Sequence, residues 1–229
     1  MVHPMKVLSM RLFVFDMVGT TIQDDGQIAV AFEQALRRCG VALDVGALDR
    51  VRGLSKREAI RTLLVAGGVE AGLDEETTKV FADFRARLIE SCASTPLREV
   101  PGAMRTLRWL REKGVKVALN TGVDHAIADA MLQQLHWDEG VYDVLVTSDD
   151  VIHGRPSPDL IIEACARSGV TDRSEVAVEG DTAPDITAGR AAGAGLVVGV
   201  LSGAHSRDQL ERAGADLLLE SVEQIPSLF

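Results

Sequence analysis

The 229-residue sequence predicts an α/β fold: a doubly wound parallel sheet with an α-helical insertion after its first strand. Three observations predict it. From residue 97 onwards, short apolar runs alternate with helical patterns, the rhythm of a parallel sheet covered by helices on both faces. Residues 27–92 break that rhythm with almost continuous helical periodicity and few β-branched runs. The first apolar run, 13–15, stops abruptly at Asp16, with Gly19, Thr20 and Thr21 just behind it, as a buried strand does when it delivers a carboxylate to a sheet edge. The expected division is therefore a discontinuous core of residues 1–21 and 97–229 around a helical domain of residues 22–96.

Each element has its own signal. After the Asp16 turn, which Gly19 tightens and the Thr20 and Thr21 hydroxyls can tie to the carboxylate, a helix over 29–39 stops at Gly40. Ser55 with Glu58 reads as a capping box for a helix that carries Ile60, Leu63 and Leu64 on one face. Phe81, Phe84 and Leu88 share the face of a third helix before Cys92, and read as bundle core. Pro101 opens a helix with Met104, Leu107 and Leu110 inward, and Gly114 closes it. A strand over 115–119 follows, then a helix capped by Asp124 with Ile127, Met131 and Leu135 on one face. The strand at 144–147 leads to Ser157-Pro158, an N-cap with proline at the first helical position, in a helix ended by Gly169. Strands at 175–178, 196–200 and 216–219, a helix near Pro184 and one more between the last two strands complete the sheet.

Composition narrows the function. The chain is 46% hydrophobic and 25% charged with a formal net charge of −10, which argues against a nucleic-acid partner and against an anionic membrane, and favours a divalent cation. No run reaches transmembrane length, and residues 1–10 have neither a signal-peptide core nor a cleavage site. Cys39, Cys92 and Cys165 are far apart and form no metal spacing, so they read as buried thiols of a reducing cytoplasm.

In such a sheet, ligands sit at the carboxyl ends of the strands. Four of these ends carry chemistry here: Asp16, Thr121, Arg155 just beyond the third, and Asp181 with Asp185 four residues on. Singly, each has a plain structural reading as a turn residue, a surface cation or a capping acid. Together they supply a carboxylate nucleophile, a hydroxyl donor, a cation and a metal-binding acid pair, the set that phosphoryl transfer to an aspartate requires.

The motifs Asp16-Met17-Val18-Gly19-Thr20, Leu119-Asn120-Thr121-Gly122, Gly154-Arg155-Pro156-Ser157-Pro158-Asp159 and Glu179-Gly180-Asp181-Thr182 with Asp185 resemble those of the haloacid dehalogenase superfamily. The resemblance covers the whole chain and implies a Rossmann-like core, with the insertion as the family's cap domain. Common phosphatases of the superfamily carry a second acid where this chain has Val18, and a lysine where it has Arg155. Both departures resemble the phosphonoacetaldehyde hydrolase branch, the phosphonatase-like hydrolases.

That resemblance implies a Mg²⁺-dependent hydrolase acting on a small phosphonate or phosphorylated metabolite, in a monomer or homodimer. Asp16, the Val18 carbonyl and Asp181 would hold the ion, with Asp185 in or just behind its first shell. Asp16 would attack phosphorus while Thr121 and Arg155 bind the transferring group, with Thr20, Gly53 and Gly122 contributing to substrate binding. Lys56 aligns with the lysine that forms a Schiff base in phosphonoacetaldehyde hydrolases, but Arg52 and Ala59 stand where that motif has methionine and histidine. The alternatives are a phosphate monoester phosphatase of the same superfamily, a metal-independent 2-haloacid dehalogenase, a mutase related to β-phosphoglucomutase, and a non-catalytic metal-binding scaffold. The mutase would need the acid that Val18 replaces.

Overall fold

The computed structural model describes residues 9–43 and 45–229. The expectations for the first residues of the core and for an absent leader, which concern residues 1–8, lie outside the described residues. Strand β1 (Leu12–Asp16) is followed by four helices, α1 (Gln27–Arg37), α2 (Val45–Val51), α3 (Lys56–Ala66) and α4 (Leu73–Ser94). The alternation then runs α5 (Ala103–Glu112), β2 (Lys116–Asn120), α6 (His125–Gln134), β3 (Val144–Val146), α7 (Asp159–Ser168), β4 (Val176–Gly180), α8 (Ala183–Ala192), β5 (Leu196–Val200), α9 (Arg207–Ala213) and β6 (Leu217–Leu219). A 3₁₀ segment, Val222–Leu228, follows β6.

The six strands form one parallel sheet in the order β3-β2-β1-β4-β5-β6. The order reverses between β1 and β4, so the crevice at their carboxyl ends is where an open α/β sheet accepts a ligand. Every residue of β1 is buried, and its side chains divide by the strand period of two: Phe13 and Phe15 enter one apolar cluster, Leu12 and Val14 the other. In register, Asp16 stands opposite Asn120, and Phe15 opposite Glu179, so the ends of three neighbouring strands are level.

The insertion does not form a separate core. Phe32 of α1, Ile60 and Leu64 of α3 and Phe84 and Leu88 of α4 belong to the same apolar cluster as Phe13, Phe15, Leu107 and Leu119. A charged link joins the parts as well: Arg85 of α4 meets the buried Asp124 at 3.0 Å, while Asp124 also caps α6 by accepting from Ile127 N. No helix among the described residues is long and apolar enough to cross a membrane.

Several boundaries differ from the sequence expectation. Pro101 lies outside α5, whose N-cap is Gly102 at φ 78°. Helix α7 begins at Asp159 with Pro158 at the N-cap, and the Ser157 hydroxyl bonds the Asp159 carboxylate at 2.6 Å instead of capping the helix. At α3, Ser55 caps as expected by accepting from Glu58 N. Cys39 is half-buried with its thiol 3.5 Å from a Glu76 carboxylate oxygen, whereas Cys92 and Cys165 are buried; all three are free.

Candidate active site

The carboxyl end of β1 turns sharply at Gly19, which has φ +100°. The Thr21 hydroxyl donates to the backbone carbonyls of Asp16 and Met17 at 3.0 and 3.2 Å. Thr20 donates at 3.3 Å to Asp181 Oδ1. The two hydroxyls thus brace the turn and the neighbouring acid, not the Asp16 carboxylate as the sequence suggested. Thr20 is fully buried and does not line the cavity.

Asp16 is buried, and its Oδ1 accepts from Arg155 Nη1 at 2.6 Å. The same Nη1 lies 2.8 Å from Asp185 Oδ1. Nη2 donates to the Asn120 carbonyl at 3.1 Å and to Asn120 Oδ1 at 2.5 Å. Arg155 is therefore a clamp whose two terminal nitrogens are occupied by protein, and Asn120, which sequence reasoning quoted but gave no role, is one of the residues that hold it. The second Asp16 oxygen makes no hydrogen bond with the described residues. Burial pushes the Asp16 carboxyl up to about 6, with Asp185 adding to the effect and Arg155 opposing it.

Asp181 is buried and holds its place through Thr20 and through Ala204 N, which donates to Oδ2 at 2.7 Å. Burial, then the charges of Asp16 and Asp185, push it up to about 8. Asp185 is engaged on both oxygens: Oδ1 faces Arg155, and Oδ2 accepts from the backbone and hydroxyl of Thr182 in the capping box of α8. Asp16 and Asp185 thus share one guanidinium, with Asp181 close enough to act on Asp16 by its charge, and the raised proton affinity of Asp16 and Asp181 is equally a readiness for another cation.

The donor set fits Mg²⁺ in that sense. Among the described residues no three Asp, Glu, His or Cys side chains are arranged to hold a metal by themselves, but that ion keeps several waters and is commonly held by one or two carboxylates plus substrate oxygens. Asp16 and Asp181 would supply the carboxylates, and Val18, which lines the same cavity, has a carbonyl that accepts no hydrogen bond from the described residues.

The insertion closes over this edge. A cavity of about 70 Å³ between the two parts is lined by Asp16, Val18, Thr121, Gly122, Arg155, Asp181 and Asp185 from the sheet side. Arg52, Gly53 and Lys56 reach it from the insertion. Gly53 has φ +79°, and a Cβ there would collide with the Thr182 hydroxyl and Pro184. Lys56 N donates to the Gly122 carbonyl at 3.0 Å, and a Cβ on Gly122 would sit 2.8 Å from the Leu54 carbonyl. The Thr121 hydroxyl accepts from Val123 N at 3.3 Å, leaving its proton for a ligand.

The Lys56 amine makes no hydrogen bond or ion pair with the described residues. Burial lowers its pKa, with Arg155 acting in the same direction and Asp16 in the opposite one. Ala59, where the motif of the resemblance has histidine, is fully buried, and no histidine among the described residues lines the cavity. Asp24, an acid eight residues after Asp16, also lines it and pairs with Arg52 Nη1 at 3.3 Å. No motif signals Asp24; only its place at the exit from the sheet could have done so.

Comparison with known proteins bears on the family and the fold. The model of the haloacid dehalogenase-like hydrolases matches residues 10–193. A phosphonoacetaldehyde hydrolase of Bordetella pertussis is 28% identical over 221 residues, which span 91% of this chain and 79% of that protein. A probable phosphatase of Dickeya dadantii, IndB, is 29% identical over 217 residues, 93% of this chain and 91% of that one. The crystal structure of a hydrolase from Pseudomonas syringae superposes with a TM-score of 0.85 at 28% identity, covering 95% of this chain and 96% of the other. A six-stranded parallel sheet with a buried aspartate at the end of its first strand, and a family match that spans all four motif segments up to the end of α8, lead to one conclusion: the chain belongs to the haloacid dehalogenase-like hydrolases.

Proposed function

We propose that the protein is a Mg²⁺-dependent hydrolase of small phosphonate or phosphorylated compounds, with Asp16 as the nucleophile. One observation carries this reading: Asp16 has one oxygen fixed by Arg155 and the other unbonded among the described residues, in a cavity that Thr121 and an unpaired lysine also line. The names of the relatives support it, since they include a phosphonoacetaldehyde hydrolase and a probable phosphatase.

Asp16, the Val18 carbonyl and Asp181 would hold Mg²⁺, and Asp185 would act from behind through Arg155 and Thr182. When bound, the ion would offset charge on the transferring group. The unbonded Asp16 oxygen attacks phosphorus, the bond from phosphorus to the leaving atom breaks with its electron pair going to that atom, and an aspartyl phosphate remains. Thr121 donates to a phosphoryl oxygen. Arg155 keeps Asp16 aimed and ionised. Water then cleaves the aspartyl phosphate, releasing inorganic phosphate and restoring Asp16.

Lys56 divides two versions of this chemistry. For a phosphonoaldehyde, its amine condenses with the carbonyl, water leaves, and the iminium accepts the electron pair of the breaking carbon–phosphorus bond to give an enamine. The lowered pKa and unpaired amine of Lys56 support that version. The buried Ala59 in place of an imidazole supports the other, hydrolysis of a phosphorus–oxygen bond with Lys56 as a charge partner.

Borohydride added with phosphonoacetaldehyde decides between them. A reduced adduct on Lys56, absent in Lys56→Arg, establishes the imine route. No adduct, with Lys56→Arg still releasing phosphate from a monoester, establishes the ester route. Phosphate release by Asp16→Asn at the wild-type rate in either assay would remove the nucleophile assignment itself.

A further inference from the structure

The Asp181 carboxylate has two supports. The Thr20 hydroxyl, on the turn after β1, donates to its Oδ1 at 3.3 Å. The other support comes from residues 201–206, which join β5 to α9 and lie outside the four motifs. There Ala204 N donates to Asp181 Oδ2 at 2.7 Å, and His205 N donates to the Asp181 backbone carbonyl at 3.2 Å. Gly203 packs so closely that a Cβ on it would collide with the same carboxylate, as would one on Gly19.

The same segment reaches the turn after β1 and the start of α8. Gly19 N donates to Ile22 O at 2.7 Å, which fixes the peptide that carries the Val18 carbonyl. The next peptide is fixed by Ser202, whose Oγ donates to the Gly19 carbonyl at 2.8 Å. His205 is half-buried, and its Nδ1 accepts from Ala183 N in the first turn of α8 at 3.0 Å. Because that donor is a backbone N–H, Nδ1 carries no proton, and the ring does there what an amide oxygen could do. The segment is itself tied at both ends: Leu201 N donates to Leu219 O at 2.9 Å, and Ser206 forms a capping box with Gln209 of α9. Asp181 needs such support, because the charges of Asp16 and Asp185 act against its own, and a carboxylate free to rotate would turn away from them. Mg²⁺ tolerates little departure from octahedral geometry, so rotation of one ligand costs affinity.

We infer that the segment between β5 and α9 sets the geometry of the cation site, with Ser202 and His205 as positioning residues. Ser202 holds the turn that presents the Val18 carbonyl. His205, anchored on α8, holds the segment so that Ala204 N and Gly203 keep the Asp181 carboxylate in one orientation. The inference rests on the reading of Asp16, Val18 and Asp181 as Mg²⁺ ligands and adds to it residues that none of the four motifs contains.

The test is Mg²⁺ binding to the full chain, measured by calorimetry without substrate. Ser202→Ala and His205→Ala should each raise the Kd for Mg²⁺ by about tenfold or more, the usual cost of losing a residue that orients a ligand. His205→Asn should recover most of the affinity, since its amide oxygen can accept from Ala183 N. Phosphate release at rising Mg²⁺ should show the same shift in the half-saturating concentration, with kcat at saturating Mg²⁺ within about twofold of wild type. Ser206→Ala removes a cap from α9 in the same segment without touching Asp181, and should bind Mg²⁺ as the wild type does. If His205→Ala does not fold, His205→Asn and Ser202→Ala, the latter at an exposed residue, are judged against Ser206→Ala. A folded Ser202→Ala or His205→Ala with wild-type affinity, while Asp181→Asn loses the ion, would overturn that residue's assignment and leave the metal reading standing. An equal loss in Ser206→Ala would overturn both assignments, because any loosening of the segment would then have the same effect. Absence of Mg²⁺ binding by the wild type, or binding that Asp181→Asn does not change, would remove the reading of Asp181 as a ligand, and the inference with it.

Discussion

The sheet edge and the helical insertion contribute to one cavity in opposite ways. On the sheet side nearly every charged group is committed: Arg155 to Asp16, Asp185 and Asn120, Asp185 to Thr182, and Asp181 to Thr20 and Ala204. On the insertion side apolar residues of α1 and α2 line the cavity beside the Arg52–Asp24 pair, and the Lys56 amine is unpaired among the described residues. Committed groups cannot rearrange for different ligands, so the sheet edge suits a constant step. The insertion can vary its wall without disturbing that step, and specificity is expected there.

The sharpest way to break this comparison is to remove one committed carboxylate. Asp181→Asn keeps the shape and the contacts with Thr20 and Ala204 but loses the charge, so Mg²⁺ binding by calorimetry should disappear and turnover should fall by about 10³-fold. Full wild-type turnover in excess chelator would instead place the chain with the metal-independent dehalogenases.

A second test moves acid chemistry into the cavity. Val18→Asp should raise phosphate monoester hydrolysis by about a hundredfold, since a positioned general acid contributes that much. Unchanged monoesterase activity in a folded variant that still binds Mg²⁺ would mean that the apolar Val18 is not what limits such substrates.

The smallest effect concerns a sheet-side carboxylate with neither oxygen bonded among the described residues. Glu179 on β4 is 1% exposed, and neither carboxylate oxygen has a hydrogen-bond partner. Burial raises its pKa well above the usual value. A raised carboxyl means that the folded state binds more protons than the unfolded chain, so its contribution to stability is complete below the unfolded value and is lost as pH rises towards the folded one. Glu179→Gln does not titrate. The two proteins should melt together near pH 4, and the variant should be more stable by about 1–3 kcal/mol at alkaline pH. Asp16 and Asp181, also raised, contribute the same slope to both proteins and cancel from the difference.

Much of the sheet side was legible in the sequence because its chemistry is local. Asp16, Thr121 and Asp181 each stand within a residue of a strand end, and the strand period fixes where they emerge. Arg155 was legible only as part of a motif, since its partners Asp16 and Asp185 are 139 and 30 positions away. The rest depended on tertiary contacts. Helix α2 has seven residues including Gly46 and too little periodicity to announce itself, so the wall it builds with α1 was not foreseen. Thr20 looked like a ligand-binding hydroxyl because nothing in its neighbourhood reveals that Asp181, across the switch point, claims it. Ser157-Pro158 misled by one residue because the serine hydroxyl donates to the Asp159 carboxylate instead of accepting from a backbone N–H.

The hydrogen bond from Lys56 N to the Gly122 carbonyl, described above as part of the closure, also fixes an alignment. The amine belongs to the insertion and the nucleophile to the sheet, so this backbone contact is what keeps the two on facing walls of one cavity. A change that shifts the seam moves the amine relative to the carboxylate without altering either group.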